Sequence, residues 1–220
     1  MSTIELVIFD LDGTLVDSAP DIARAVGVTL REAGVEPPPL DAVRAMVGDG
    51  ARVLIGRSLA AAGAQGDQDL LLARFIEHYR EGLCVDSRLY DGIAEALAGL
   101  RAAGMAMSVV TNKPGDLARD LLDILKITPF FQRVIGDGDG FPRKPDPAAA
   151  HQLMAGAGTT PATTAIVGDG LPDVHLGLTL GLRVVAAGWG YVPPERLEAA
   201  GAPVVASAPG ELASLLAAGG

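Results

Sequence analysis

The stretch from Ile4 to Leu15, IELVIFDLDGTL, constrains the fold more than any other part of the chain. Leu6 to Phe9 is a continuous apolar run, and Asp10, Asp12, Gly13 and Thr14 come closely after it. A run this short and this rich in branched residues, closed by a glycine, predicts a strand buried on both faces of a sheet. Ligands of open α/β sheets gather beyond the carboxyl ends of such strands. Side chains at i and i+2 of an extended chain point to the same side, so Asp10 and Asp12 face one reacting group if the chain stays extended. Two carboxylates so close repel unless a cation or a shared proton intervenes. A hard divalent ion such as Mg²⁺ is one answer. The other is division of labour, one carboxylate acting as nucleophile and the other as a protonated general acid.

Beyond Leu15 the apolar period becomes helical. Ile22, Ala25, Val26, Leu30 and Ala33 predict a helix over Ala19–Ala33, ended by Gly34, and Pro37 to Pro39 mark a loop. Helical patterns recur over Asp41–Val47, Ala51–Ala62 and Asp67–Leu83, with Gly48-Asp49-Gly50 as a flexible connection. Val16 to about Ser87 therefore reads as an all-helical insertion. From Ser87 on, strands alternate with helices: strands at Ala106–Val110, Val134–Ile135, Thr164–Val167, Arg183–Ala187 and Val204–Val205, each succeeded by a helical pattern. That alternation predicts βαβ units and a parallel sheet that includes the first strand. The site then lies between two domains, a common place for small-molecule sites.

The 220 residues suffice for one domain with an insertion, and 49% apolar content predicts a packed core. A net charge of −10 argues against nucleic-acid or anionic-membrane partners. It also means that an anionic substrate has to be attracted locally, by a metal or a few placed cations. Cys84 is the only cysteine, which excludes an intramolecular disulfide and a thiolate metal cluster and leaves it as a packing residue. The N-terminal stretch lacks a basic region and its apolar run is interrupted by Glu5 and Asp10, so it does not read as a signal peptide. With no apolar run near ~20 residues, the expectation is a soluble, cytoplasmic protein, monomer or homodimer.

The residues just past each later strand carry the chemistry. After Ala106–Val110 come Thr111, Asn112, Lys113 and Pro114, with Pro114 suited to the first position of a helix and Thr111 and Asn112 at its N-terminus, a ready anion site. After Val134–Ile135 and a Gly/Asp loop comes Lys144, held between Pro142 and Pro145. After Thr164–Val167 comes Gly168-Asp169-Gly170-Leu171-Pro172-Asp173, two further carboxylates at a strand end, suited to an octahedral ion that keeps waters. Each alone also fits a turn, a cap or a solvated charge. All of them at strand ends of one sheet point to a site.

FDLDGTLVDS, TNKP, RKPDP and VGDGLPD resemble the four motifs of the haloacid-dehalogenase-like phosphatases, and the likeness covers essentially the whole chain. The resemblance implies a doubly wound parallel-sheet (Rossmann-like) core with an all-helical cap inserted after the first motif: core over 1–15, cap over 16–87, core again over 88–220. It implies a Mg²⁺-dependent phosphatase that works through an aspartyl-phosphate. By position, Asp10 is the nucleophile and a metal ligand. Asp12 protonates the leaving group and then activates water, while its backbone carbonyl touches the metal. Thr111 and Asn112 hold the phosphoryl oxygens, Lys144 neutralises charge on nucleophile and phosphate, and Asp169 ligates Mg²⁺ with Asp173 beside it.

VDSAPDIARAV, MVGDGARVLIGRSL and the tail GWGYVPPERLEAAGAPVVASAPGEL are further similar to the phosphoglycolate phosphatases. A glycolate carboxylate needs a cation, and Arg52, beside Gly50 in the inserted segment, is the candidate to meet it. Gly170 departs from the pattern, standing where Thr or Ser is common. Trp189 comes after a strand and either borders the site or packs in a loop. His78, His151 and His175 show no ligand spacing. The competing readings are a phosphatase for a sugar phosphate or pyrophosphate, a phosphomutase on the same fold, a dehalogenase, and a non-catalytic module. A dehalogenase needs neither an acid at Asp12 nor metal carboxylates, and a binding module tolerates loss of a catalytic group, of which none is missing.

Overall fold

Leu6–Phe9 forms the first strand, β1, in a computed structural model that describes residues 3–217. All four of its side chains are fully buried, each contributing roughly 1.5–3 kcal/mol of burial. In chain order the remaining elements are β2 (Val16–Asp17), α1 (Ala19–Glu32), α2 (Leu40–Arg44), α3 (Ala51–Ala61), α4 (Gln68–Glu81), β3 (Arg88–Leu89), α5 (Ile93–Ala102) and β4 (Ala106–Pro114). Then come α6 (Gly115–Ile124), β5 (Val134–Asp137), α7 (Ala148–Ala157), β6 (Thr164–Gly168), α8 (Leu171–Leu180), β7 (Arg183–Ala187), α9 (Pro194–Ala199), β8 (Val205–Ala206) and α10 (Leu212–Ala217). Among the described residues, no helix is long and apolar enough to cross a membrane.

The main sheet has the order β5-β4-β1-β6-β7-β8, with every neighbouring pair parallel. It is the expected α/β doubly wound core. From β1 the chain steps outward through β4 to β5, then returns to β6 on the other flank and continues to β8. The strand order therefore reverses beside β1, and the crevice at its carboxyl end is where such sheets bind ligands. Strand alternation covers both faces. Val7 and Phe9 pack with Leu97 and Leu100 of α5 and Leu117 and Leu121 of α6, whereas Leu6 and Ile8 pack with Leu153 of α7 and Val174 of α8.

Helix α1 packs on α2, α3 and α4. Its apolar residues Ile22, Val26 and Leu30 share one apolar cluster with Leu54, Phe75 and Tyr79 and with the β1 face that carries Phe9. The helical layer is thus seated on the sheet edge, not separated from it.

Three expectations need correction. The segment from Val16 is not purely helical: Val16 and Asp17 pair antiparallel with Leu89 and Arg88, so a short ribbon joins the two connections to the helical layer. Strand β4 does not stop at Val110 but runs through Thr111, Asn112 and Lys113 to Pro114, with an irregularity after Val110, and Pro114 caps α6 instead of opening it. The helix expected over Asp41–Val47 is the single turn and a half of α2, which ends at Arg44.

The second connection is held by Asp21, a fully buried carboxylate on α1. It accepts from the Ser87 amide at 2.8 Å, the Ser87 hydroxyl at 2.7 Å and the Asp86 amide at 3.0 Å. Burial alone would raise its pKa, but the Ser87 and Asp86 bonds, helped by Arg24, outweigh burial and hold it below the usual carboxylate value. A depressed folded pKa contributes stability that is complete above the unfolded value of ~3.9 and is lost as pH falls through the folded value. Asp21→Asn should therefore lower stability at pH 7 by about 1–3 kcal/mol, with the gap to wild type shrinking as pH falls below ~4. Urea unfolding at pH 7 and in acid checks this; a gap that does not change with pH would contradict it.

Candidate active site

The carboxyl ends of β1, β4 and β6 meet at one buried cluster of charge. Asp10 comes directly after β1, its amide donating to the Val167 carbonyl of β6 at 2.9 Å. One of its carboxylate oxygens accepts from the Leu11 amide at 2.7 Å and lies 2.8 Å from the Lys144 ammonium. Lys144 also reaches Asp173 Oδ1 at 2.7 Å, and its side chain is 1% exposed. Burial would push the Lys144 pKa down, but the charges of Asp10 and Asp173 outweigh burial and keep it above its ordinary value, so the ammonium stays charged.

Asp169, at the end of β6, is cradled from three sides. The Thr14 hydroxyl donates to its Oδ1 at 2.8 Å and the Tyr191 amide donates to its Oδ2 at 2.8 Å. Gly13 and Gly190 lie against it so closely that a Cβ on either would fall 2.2 Å from the Asp169 side chain. Gly13 also has φ +85°, which a side chain would strain. Burial, and then the Asp10 charge, push the Asp169 pKa up to about 8. Asp173 is raised as well, by burial above all, with Lys144 pulling the other way and Asp10 adding to the rise. Asp173 also accepts from the Gly170 amide at 3.1 Å, half of a capping box whose other half Gly170, lacking a side chain, cannot return.

With all three carboxylates ionised the cluster would carry more negative charge than Lys144 offsets, which is why the Asp169 and Asp173 pKa values rise and is the condition a bound cation relieves. Among the described residues no three His, Cys, Asp or Glu side chains converge tightly enough to hold a metal on their own. Asp10 and Asp169 nevertheless place two carboxylates close enough for the Asp10 charge to act on Asp169, and carboxylate oxygens completed by water are donors that suit a hard octahedral ion. The Asp12 carboxylate itself is turned elsewhere. It accepts from the Ser18 hydroxyl at 2.5 Å and from Lys113 at 2.9 and 3.2 Å.

Asp10, Asp12, Thr111, Asn112 and Lys113 form the sheet side of a cavity of about 40 Å³, room for roughly three waters at ~10–15 Å³ each. The helical layer lines its other side with Ile22, Val47, Gly50, Leu54, Phe75 and Tyr79. Asp10, Asp12 and Thr111 are together, as the sequence suggested. Asn112 lines the cavity too, but its side chain is a brace: Nδ2 donates to the Gly48 carbonyl at 2.9 Å and Oδ1 accepts from the Lys144 amide at 2.8 Å. Gly50, at φ +93°, lets its loop approach Arg143, which donates to the Asp49 carbonyl at 3.1 Å.

Arg52 is not brought to the cavity. Helix α3 turns Ala51 and Leu54 inward, so Arg52, about 100° around the helix from Ala51, points outward, pairs with Asp69 and is 49% exposed. Lys113 was not anticipated. Its side chain is 2% exposed, donates to the Tyr79 hydroxyl at 2.6 Å and sits 4.4 Å from the centre of that ring. The signal was present: Thr111 and Lys113 are i and i+2 on a strand and share a face, but reading Pro114 as a helix start hid the alternation. Tyr191 was also missed. Its hydroxyl accepts from the Ser18 and Ala19 amides at 2.8 and 3.0 Å, while Trp189 donates to the Thr14 carbonyl at 3.0 Å. The loop over Asp169 thereby grips the first connection to the helical layer.

The chain matches the model of the haloacid dehalogenase-like hydrolases over residues 7–187. It is 44% identical over 194 residues to a phosphoglycolate phosphatase of Pseudomonas putida, covering 84% of this chain and 70% of that one. It is 38% identical over 202 residues to a phosphoglycolate phosphatase of Caulobacter vibrioides, covering 90% and 85%. Among solved structures, a predicted phosphoglycolate phosphatase from Haemophilus somnus superposes with a TM-score of 0.91 at 28% identity, over 98% of this chain and 99% of that one. A strand-end cluster of this composition, on this sheet order and with this extent of match, places the chain in the haloacid dehalogenase-like hydrolase family.

Proposed function

We propose that the protein is a Mg²⁺-dependent phosphatase of small phosphate monoesters, with 2-phosphoglycolate as its substrate, working through an aspartyl-phosphate on Asp10. The observation that carries this reading is the pairing of roles in one cavity. Asp10 is charge-compensated by Lys144 at 2.8 Å, while Asp12, two residues on, faces the same space with its carboxylate away from that cluster. The likeness to phosphoglycolate phosphatases at 38% and 44% identity supports the substrate.

In this reading an Asp10 oxygen attacks phosphorus while Thr111 holds a phosphoryl oxygen in line. The bond to the leaving oxygen breaks, and that oxygen takes the proton from Asp12. Water then attacks the phosphorus of the aspartyl-phosphate, giving its proton to Asp12; phosphate leaves and Asp10 is restored. Asp10, Asp169 and the Asp12 carbonyl would hold Mg²⁺, which would supply positive charge against the nucleophile and the phosphoryl oxygens. Lys144 adds to that compensation, and helices α1–α4, acting as a cap, keep bulk water from the phosphorylated aspartate. The same reading carries a cytoplasmic setting, a monomer or homodimer, and neither nucleic-acid nor membrane partners.

Phosphate release from 2-phosphoglycolate with Mg²⁺ tests the proposal, and its absence would overturn it. Asp10→Asn keeps the shape and removes the nucleophile, so kcat should fall on the order of 10³-fold or more with an unchanged far-UV spectrum; activity within tenfold of wild type would sink the covalent route. Gly190→Ala drives a methyl group into Asp169 and should raise the Mg²⁺ concentration for half-maximal rate by roughly 10–100-fold, as displaced supporting groups do at metal sites. A Mg²⁺ titration of wild type and variant measures it.

A further inference from the structure

We propose that Lys113 reads the second anionic group of the substrate, meeting the carboxylate of the leaving group while Thr111 and Asp10 hold the phosphoryl end. The inference rests on the phosphatase reading and names the residue that sets its specificity.

A small acid phosphate brings two negative groups into a site whose surroundings are already anionic. Among the described residues lining the cavity, Lys113 is the only cationic side chain. Lys144 lies behind Asp10 and is taken up by Asp10 and Asp173. Arg52 is held outside by Asp69, and the Arg143 guanidinium is bonded to the Asp49 carbonyl. A carboxylate between the sheet edge and the helical layer therefore has Lys113 to pair with.

The ammonium is buried against the Tyr79 ring and donates to both Asp12 oxygens, at 2.9 and 3.2 Å, and to the Tyr79 hydroxyl, so an incoming carboxylate takes the place of the longer Asp12 contact. Its position suits a short substrate: Thr111 and Lys113, two residues apart, line the same cavity as Asp10 and Asp12. The opposing wall is apolar, made by Ile22, Leu54 and Phe75, which strengthens an ion pair formed there by lowering the local dielectric. Lys113 on β4, Asp12 after β1 and Tyr79 on α4 also come from three separate elements, so the ammonium sits where sheet and helical layer join.

The test compares kcat/KM for 2-phosphoglycolate with that for ethyl phosphate, which has the same two-carbon skeleton without the carboxylate, each with saturating Mg²⁺. Taking the ratio cancels any effect of the substitution common to both substrates. Wild type should prefer phosphoglycolate, and Lys113→Met should lower the ratio by about tenfold to a hundredfold, the worth of one charge-assisted bond. Lys113→Arg, which keeps the charge, should hold the ratio closer to wild type than Lys113→Met does, and Lys113→Gln provides a second neutral variant if the Met protein does not fold. A wild type that releases phosphate from both esters without preference overturns this inference and the substrate assignment together. A wild-type preference that survives in both neutral variants overturns the role of Lys113 alone and leaves the phosphatase reading standing.

Discussion

The arrangement depends on one electrostatic problem: several carboxylates and one ammonium buried together at the carboxyl edge of a parallel sheet. Lys144 touches Asp10 and Asp173 at 2.8 and 2.7 Å, and Asp169 stands beside them with its pKa pushed to about 8 by burial and by Asp10. Such clusters add little to stability, because desolvating several charges offsets most of their mutual attraction. Much of the local architecture exists to hold this one in place. Gly13 and Gly190 remove the Cβ atoms that would displace Asp169, and Thr14 and the Tyr191 amide saturate its oxygens. The proposed chemistry accounts for the retention: in that reading a carboxylate nucleophile and a phosphoryl group would repel unless a buried cation and a metal stood between them.

The same contacts bind the helical layer to the sheet. Asn112 joins the Gly48 carbonyl to the Lys144 backbone, Arg143 holds the Asp49 carbonyl, and Lys113 joins Asp12 to Tyr79. The two connections are gripped separately, the first by the Tyr191 hydroxyl and the second by Asp21. The loop that positions the Asp169 carboxylate thus also fixes where the helical layer enters. These polar contacts stand beside an apolar seam of Ile22, Val26 and Phe75.

The sheet and the charged residues at its strand ends were legible in the sequence because their signals are local. Leu6–Phe9 alternates between two apolar layers within four residues, and Asp10 and Asp12 succeed it at a spacing that extended chain turns to one side. Lys144 and Asp169 were found for the same reason: each comes after a short apolar run, directly or across one loop. The sequence by itself determined the parallel sheet, the helical segment after the first strand, and which residue types end the strands, since periods of 2 and 3.6 are read over a few neighbours.

Only the tertiary structure decided which side chains face the cavity from outside that local pattern. Arg52 looked like the cation for a substrate, but the phase of α3 and the nearby carboxylate of Asp69 turn it to solvent. Lys113 looked like part of a helix cap until β4 was seen to run on to Pro114, which sets Lys113 on the face of Thr111 and against a tyrosine 34 residues earlier in the chain. Asn112 became a brace because Gly48 and Lys144 arrive on either side of it. Side-chain direction at these positions is set by partners distant in sequence, and no window of neighbouring residues contains them.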